Sequence, residues 1–275
     1  MSGLDDGAVE RLARAAARAS LDHPRYQFGE LIASGGMGSV YRARDRTLDR
    51  EVAIKVLRGI DPSPALVNRL DREARILGQL DHPGVVPVHD AGGLADGRPF
   101  YVMRLVRGER LDRQLDRVPG LAERLRLFLK IAEPVAFAHA HGVVHRDLKP
   151  ANIMVGPYGE VLVLDWGIAK VRSSEPEPAG LAAESVRAGD TGPGAILGTR
   201  GFMAPEQAAG GSGQADERSD VYSLGAILRE MLTGLDREAP RPVGAIRDRA
   251  LADAPADRYQ TVPDLVADVT RFLEG

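Results

Sequence analysis

The spacing of apolar and polar residues changes character twice along this chain. Residues 8–20 (Ala-Val-Glu-Arg-Leu-Ala-Arg-Ala-Ala-Ala-Arg-Ala-Ser) have high helix propensity, with a thin stripe of Val9, Leu12 and Ala16 and with Arg11, Arg14 and Arg18 facing elsewhere. Such a segment reads first as a solvated helix, next as one docked on the body of the protein, and last as a membrane-surface helix. From Tyr26 the pattern becomes strand-like. Phe28 to Ala33, Gly38 to Arg44 and Glu51 to Leu57 are predicted strands, separated by Gly-rich and Asp/Arg-rich turns. Leu66, Leu70, Ala74 and Leu77 then fall at helical spacing and predict a helix over 64–80, which Asp81-His82-Pro83-Gly84 ends. Val85 to Asp90 and Pro99 to Val106 read as two further strands.

Beyond Gly108 the chain turns mainly helical. Leu121 to His141 carries a broad apolar face, with Pro134 implying a kink or a break in its hydrogen-bond ladder. Asp220 to Thr233 is apolar nearly all round and predicts a buried helix. Thr261 to Leu273 is another, with Thr261 as N-cap and Pro263 in the first turn. Short apolar strands are expected at Val143-Val144, Ile153 to Val155 and Val161 to Leu164. Residues 172–195 are rich in Gly, Pro, Ser and charge and cannot bury much apolar area. The pattern gives an α+β protein: a small β-rich part with one main helix, then a larger helical part, without internal repeats.

Composition narrows the function classes. The 275 residues, 44% of them hydrophobic, suffice for one large domain or two lobes. A net charge of −3 gives no pull toward nucleic acid or anionic membrane. There is no cysteine, so no disulfide framework and no thiolate metal site, which fits a reducing compartment. No apolar run approaches the ~20 residues needed to cross a bilayer, and the N-terminus lacks a signal-peptide core. Positive charge is mostly arginine; the lysines are Lys55, Lys130, Lys149 and Lys170, and a retained lysine suggests a need for a compact ammonium.

Candidate chemistry centres on His145-Arg146-Asp147-Leu148-Lys149-Pro150-Ala151-Asn152, followed by Asp165-Trp166-Gly167. Asp147 can accept or orient a hydroxyl proton, Lys149 can neutralise a moving phosphoryl group, and Asn152 and Asp165 offer hard oxygens to magnesium. An isolated Asp–Asn pair is usually a turn or a cap, so the combination carries the signal. Upstream, Ala33-Ser34-Gly35-Gly36-Met37-Gly38-Ser39-Val40 joins two strands, and its glycines let backbone amides approach phosphates. Val52-Ala53-Ile54-Lys55 sets a lysine on the third strand, and Glu73 lies in the following helix. Alone, these read as a turn, a solvated lysine and a surface glutamate.

Taken in order, these pieces resemble the eukaryotic-type protein kinase family, from about Tyr26 to Leu273. They are the Gly-rich loop, Val-Ala-Ile-Lys, a helix glutamate, His-Arg-Asp with Asn, Asp-Trp-Gly, Ala204-Pro205-Glu206, and Asp220 opening a buried helix. The wording is similar to the bacterial (Hanks-type) serine/threonine branch. The resemblance implies a bilobal fold with an N-lobe over 26–106, a C-lobe over 107–275 and an activation segment over 165–206, preceded by a helical extension over 1–25. It implies ATP and Mg2+, with Lys55 on the α/β-phosphates and paired with Glu73, Asp147 as base, Lys149 on the γ-phosphate, and Asn152 and Asp165 on the metal. Ile32, Ala33, Ser34, Gly35, Gly36, Met37, Gly38, Ser39, Val40, Ala53, Lys55, Met103, Leu105 and Met154 would contact the nucleotide. Val40 and Ala53 would close over the adenine, Met154 would lie beneath it, Met103 would be the gatekeeper, and Arg104 to Val106 the hinge. Leu77, Val88, His145 and Trp166 would stack into a buried spine. Glu206 would pair with Arg258, a contact whose loss costs ~3–5 kcal/mol. Lys149 and Thr199 mark the serine/threonine type. Arg146 would bind a phosphate on the activation segment, at Thr191 first, with Ser173, Ser174 and Ser185 behind it.

The implied partners are protein substrates, and other copies of the chain for trans-autophosphorylation, with no nucleic acid and no membrane segment. The implied setting is cytoplasmic, with a parent protein that could be membrane-anchored beyond residue 275. Departures from the family are Ala33 at the usual first glycine, Trp166 for the usual Phe, Arg200 for the proline usual after Thr199, and a shortened stretch between Gly234 and Arg258. The last omits a helix that docks substrates and is expected to leave apolar surface uncovered. Two rival readings stay open: a pseudokinase, a nucleotide-binding interaction module on the same fold; and an antibiotic-type small-molecule kinase, against which Ala-Pro-Glu and Gly198-Thr199 stand.

Overall fold

A computed structural model describes residues 21–35, 38–59, 62–118, 120–166, 170–171, 201–209, 216–235 and 239–275. The expectations for residues 8–20, Gly36, Met37, Gly167, the stretch 172–195 with Ser173, Ser174, Ser185 and Thr191, and Gly198 to Arg200 lie outside the described residues. The chain divides into two compact units, one of residues up to Ala74 plus Val88–Leu105, the other of Arg75–Pro87 plus Val106–Gly275.

The first unit is built on an antiparallel sheet of β1 (Tyr26–Gly35), β2 (Gly38–Asp45), β3 (Arg50–Val56), β4 (Val88–Gly93) and β5 (Pro99–Arg104), in the order β1-β2-β3-β5-β4. Helix α1 (Pro64–Gln79) follows β3 in the chain. Strand alternation sorts the side chains of this sheet. Val52, Ile54 and Val56 of β3 join Phe100 and Val102 of β5 in a core with Tyr26, Ala43 and Leu94. The intervening residues, Ala53 and Lys55 on β3 and Tyr101 and Met103 on β5, therefore share the opposite face. Their register confirms it: Ala53 lies opposite Met103, and Lys55 opposite Tyr101.

The second unit is mainly helical. Strand β6 (Glu109–Arg110), α2 (Leu111–Gln114) and a 3-10 turn (Leu115–Arg117) lead into α3 (Leu121–Ala140). Strands β7 (Val143–Val144), β8 (Ile153–Val155), β9 (Val161–Val163) and β10 (Lys170–Val171) form two small sheets, β6-β8-β9 and β7-β10. Helices α4 (Pro205–Ala208), α5 (Glu217–Leu232), α6 (Arg241–Ala250) and α7 (Val262–Glu274) complete it. Leu125, Phe128, Ile131, Ala132, Val135 and Ala138 make the buried stripe of α3. Each fully buried aliphatic or aromatic side chain of this kind contributes about 1.5–3 kcal/mol.

The elements depart from the sequence pattern at a few places. Pro134 does not end α3, and a Cβ on Gly84 would lie 2.8 Å from its Cγ, so the ring packs where only glycine fits. Strand β4 starts at Val88, because Pro87 has no N–H for the ladder. Val85 instead bridges to Val163. Helix α5 begins at Glu217 rather than Asp220, because Asp216 caps it by accepting from the Arg218 amide at 2.9 Å. In line with the expectation of uncovered apolar surface, a groove lined by Leu129, Ala136, Pro263, Val266 and Ala267 lies open between α3 and α7, though not beside α6. Val243 and Ile246 of α6 are buried, and the exposed large apolar side chains are Leu31, Ile32, Leu48 and Tyr158. Helix α6 comes up against α5 at Gly225, where a Cβ would meet Ala250 Cβ at 2.7 Å. The end of α5 is held by the buried Arg124 guanidinium, which donates to Met231 O, Thr233 O, Leu115 O and Val118 O.

Candidate active site

In the first unit, Lys55 Nζ donates to both oxygens of Glu73, at 2.7 and 2.8 Å. The pair is nearly dry: the side chains are 11% and 1% exposed. Tyr101 places its hydroxyl 2.9 Å from Glu73 Oε1 and its ring near Lys55, with Nζ 5.9 Å from the centroid. Val40 lies opposite Lys55 on β2, and Met103 lies between Ala53 and Val88, so these side chains share the Lys55 face. Ala33 pairs with Val40 and is not among the residues at positive φ, so its methyl group is accommodated. Gly38 admits no side chain, since a Cβ would sit 2.5 Å from Val56 O. Ser34 and Ser39 hydroxyls are 3.2 Å apart, and Arg58 donates to both. Ile32 is exposed on β1, and Leu105, just past β5, is half-buried.

In the second unit the loop between β7 and β8 hangs from one buried carboxylate. Asp220, fully buried on α5, accepts from the His145 and Arg146 amides at 2.8 Å each and bonds His139 Nε2 at 2.7 Å. Burial alone would raise its pKa; the hydrogen bonds from His139 and from the Arg146 amide help outweigh that and hold it below the ordinary value. Arg146 takes a left-handed φ of 71°, and Gln207 donates to its carbonyl at 3.0 Å. Asp147 follows. Its Oδ2 accepts from Lys149 Nζ at 2.8 Å and from Asn152 Nδ2 at 3.1 Å, while Asn152 Nδ2 also donates to Asp147 O at 2.9 Å. Oδ1 is the oxygen that neither neighbour engages.

Asp165 stands on the adjoining turn, exposed, with a left-handed φ of 62°. A non-glycine residue held there stores strain that the surroundings must maintain. Leu164 N donates to Asn152 O at 2.8 Å and joins the two turns. Trp166 is buried, donates from its indole to Val163 O at 3.2 Å, and packs on His145 at 4.5 Å between centroids. His145 Nε2 bonds Leu164 O, and its Nδ1 accepts from the Asp147 amide. Met154 is half-buried on β8 opposite Leu162. Glu206 receives both ends of the Arg258 fork, at 2.8 and 2.9 Å, and the Ser219 hydroxyl at 2.7 Å. Burial opposes its ionisation, but these donors prevail and hold its pKa at about 2.

A profile of the protein kinase domain matches residues 26–240. The chain belongs to the protein kinase family. Among its relatives, the serine/threonine-protein kinase PknD of Protochlamydia amoebophila is 36% identical over 91% of this chain and 30% of its own length. The serine/threonine-protein kinases PknB of Mycolicibacterium smegmatis and Mycobacterium tuberculosis are 36% and 37% identical, again over 91% of this chain and 43% of theirs. The chain thus spans about a third to two fifths of the length of these relatives. Its fold is that of the kinase family, α+β with a β-sheet lobe and a helical lobe.

Among the described residues, the sequence pattern missed Tyr101, His139 and Arg124. A tyrosine on a strand and a histidine on an apolar helix face read as core. Nothing in the spacing shows that their polar atoms meet Glu73 and Asp220. Arg124 stands among charged residues at the start of α3, where the spacing does not mark it as buried. Among the described residues no helix is long and apolar enough to cross a membrane.

Proposed function

We propose that this chain transfers the γ-phosphoryl group of ATP to serine and threonine hydroxyls of proteins, and that it phosphorylates its own 165–206 segment. The observation that carries this is the Asp147 carboxylate, braced on Oδ2 by Lys149 and Asn152 in an arrangement that does not occupy Oδ1. A carboxylate so placed orients the hydroxyl and accepts its proton as the bond to phosphorus forms. Lys149 screens the charge on the moving phosphoryl group from beside that base. Lys55, fixed by Glu73, contacts the α/β-phosphates, and residues Ile32 to Val40 with Ala53, Met103, Leu105 and Met154 hold the nucleotide. Arg146 receives the activation phosphate, with Thr191 the first choice of phosphosite.

The donor set suits Mg2+, a hard cation that takes one or two protein oxygens and leaves the rest to phosphates and water. Asn152 spends its N–H groups on Asp147, so its amide oxygen is what it offers a cation, and Asp165 presents an exposed carboxylate. When bound, the ion neutralises phosphate charge. The pseudokinase reading loses ground because Lys55, Glu73, Asp147, Asn152 and Asp165 are all retained. Protein substrates, other copies of the chain among them, and a cytoplasmic setting follow from the same reading; the absence of cysteine supports that setting.

Transfer from γ-labelled ATP to a mixed serine/threonine peptide library, beside tyrosine-only peptides and an aminoglycoside, tests it. Label on the serine/threonine peptides that depends on Mg2+ is expected. Label on the aminoglycoside alone would contradict it.

A further inference from the structure

The Lys55–Glu73 pair has a third member. Glu73 is buried, and its carboxylate must find donors for several lone pairs. Lys55 supplies two bonds; Tyr101 supplies another to Oε1 at 2.9 Å. The register that sets Lys55 opposite Tyr101 brings the phenol there, and β-sheet alternation keeps it on the Lys55 face. Tyr101 is only 2% exposed.

We propose that Tyr101 is a positioning residue that latches Glu73 onto Lys55, biasing α1 toward the paired arrangement before any phosphate is added to the chain. An ion pair between a strand and a helix opens when the helix shifts. With an aliphatic side chain opposite Lys55, no hydroxyl would hold the Glu73 carboxylate. With tyrosine, opening also breaks a buried hydrogen bond to a carboxylate, one of the stronger kinds. The phenol ring lies near the ammonium as well, Nζ 5.9 Å from its centroid, and helps hold Lys55 in place. The proposal rests on the kinase reading only for what Lys55 does to ATP; the latch itself is a statement about α1 and β5.

Its test reads the pair directly. The chain has four lysines, so acetylation by sulfo-NHS-acetate can be followed at Lys55 against Lys130 in the same molecule by peptide mass mapping. Tyr101→Phe removes the hydroxyl and keeps the ring. Lys55 should then be acetylated about 3- to 10-fold faster, the population shift of one hydrogen bond. Lys130 should be unchanged. Tyr101→Leu, a second variant, should give the same direction. In a Glu73→Ala background the Tyr101→Phe acceleration should fall to roughly nothing, because the hydroxyl has lost its acceptor. Equal Lys55 rates in wild type and Tyr101→Phe would overturn the latch. An undiminished acceleration in the Glu73→Ala background would overturn it too, by showing that the hydroxyl acts through something other than Glu73. A parallel assay should show the Tyr101→Phe effect mainly in the KM for Mg-ATP of the unphosphorylated protein. The acetylation needs neither ATP nor turnover, so an inactive wild type would sink the kinase reading and leave the latch to be judged on labelling.

Discussion

Glu73 and Glu206 are two carboxylates with the same kinds of partner and opposite mechanical roles. Each accepts from one cation and one hydroxyl: Lys55 and Tyr101 for Glu73, Arg258 and Ser219 for Glu206. The difference lies in the cation and the element that carries its partner. Arg258 uses all five of its N–H groups, two on Glu206 and the others on Ala252 O, Arg218 O and Asp253 O. It is a brace, fixed from three segments of chain. Lys55 is a compact ammonium on a flexible stem, and Glu73 rides on a helix. It is a joint. A guanidinium fork fits where a contact must never open, and an ammonium where it must make and break contact with a phosphate.

Mutations should separate the two roles. Arg258→Ala should cost most in stability, about 3–5 kcal/mol, since it strands a buried charge. A melting-temperature fall of roughly 6–20 °C should follow, and a fall of a degree or two would mean the brace is ornamental. Glu73→Gln should do the reverse, lowering phosphoryl transfer about 100-fold by misplacing Lys55 while melting moves little. If melting collapses instead, Glu73 is a brace as well. Acid should also weaken the brace. The Glu206 pKa lies near 2 in the fold against an ordinary 4.5, so its contribution is complete above about pH 4.5 and is lost as pH falls toward about 2. Denaturant midpoints measured across that window should fall less steeply in Glu206→Gln than in wild type; parallel curves would contradict the assignment. The smallest effect is expected at Trp166→Phe, which keeps the packing on His145 and loses the bond to Val163 O. It should cost about 0.5–1.5 kcal/mol, seen as a modest rise in the Mg2+ needed for half-maximal activity.

Much of this was written in the sequence, for a physical reason. Charged residues on turns between short apolar strands are rare enough that Asp147, Asn152 and Asp165 stand out. The alternation of Val52, Ile54 and Val56 with Ala53 and Lys55 fixes which face Lys55 takes. Thr261 and Pro263 mark the start of α7 as expected. What stayed hidden depends on contacts between distant segments. Tyr101 meets Glu73 across 28 positions, and His139 meets Asp220 across 81. Asp216 could have been read as a cap, but the charged residues after it disguised the first turn of α5. How the remaining helices close up after the shortened stretch also depends on distant contacts, at Gly225 and Arg124.

The most direct test of the whole account is intact mass after incubation with Mg-ATP, wild type beside Asp147→Asn. The account predicts added phosphate on the wild type alone, mapping to Thr191 or neighbouring hydroxyls. Nucleotide binding by thermal shift with no mass gained on the wild type, and none passed to serine/threonine peptides, would contradict it.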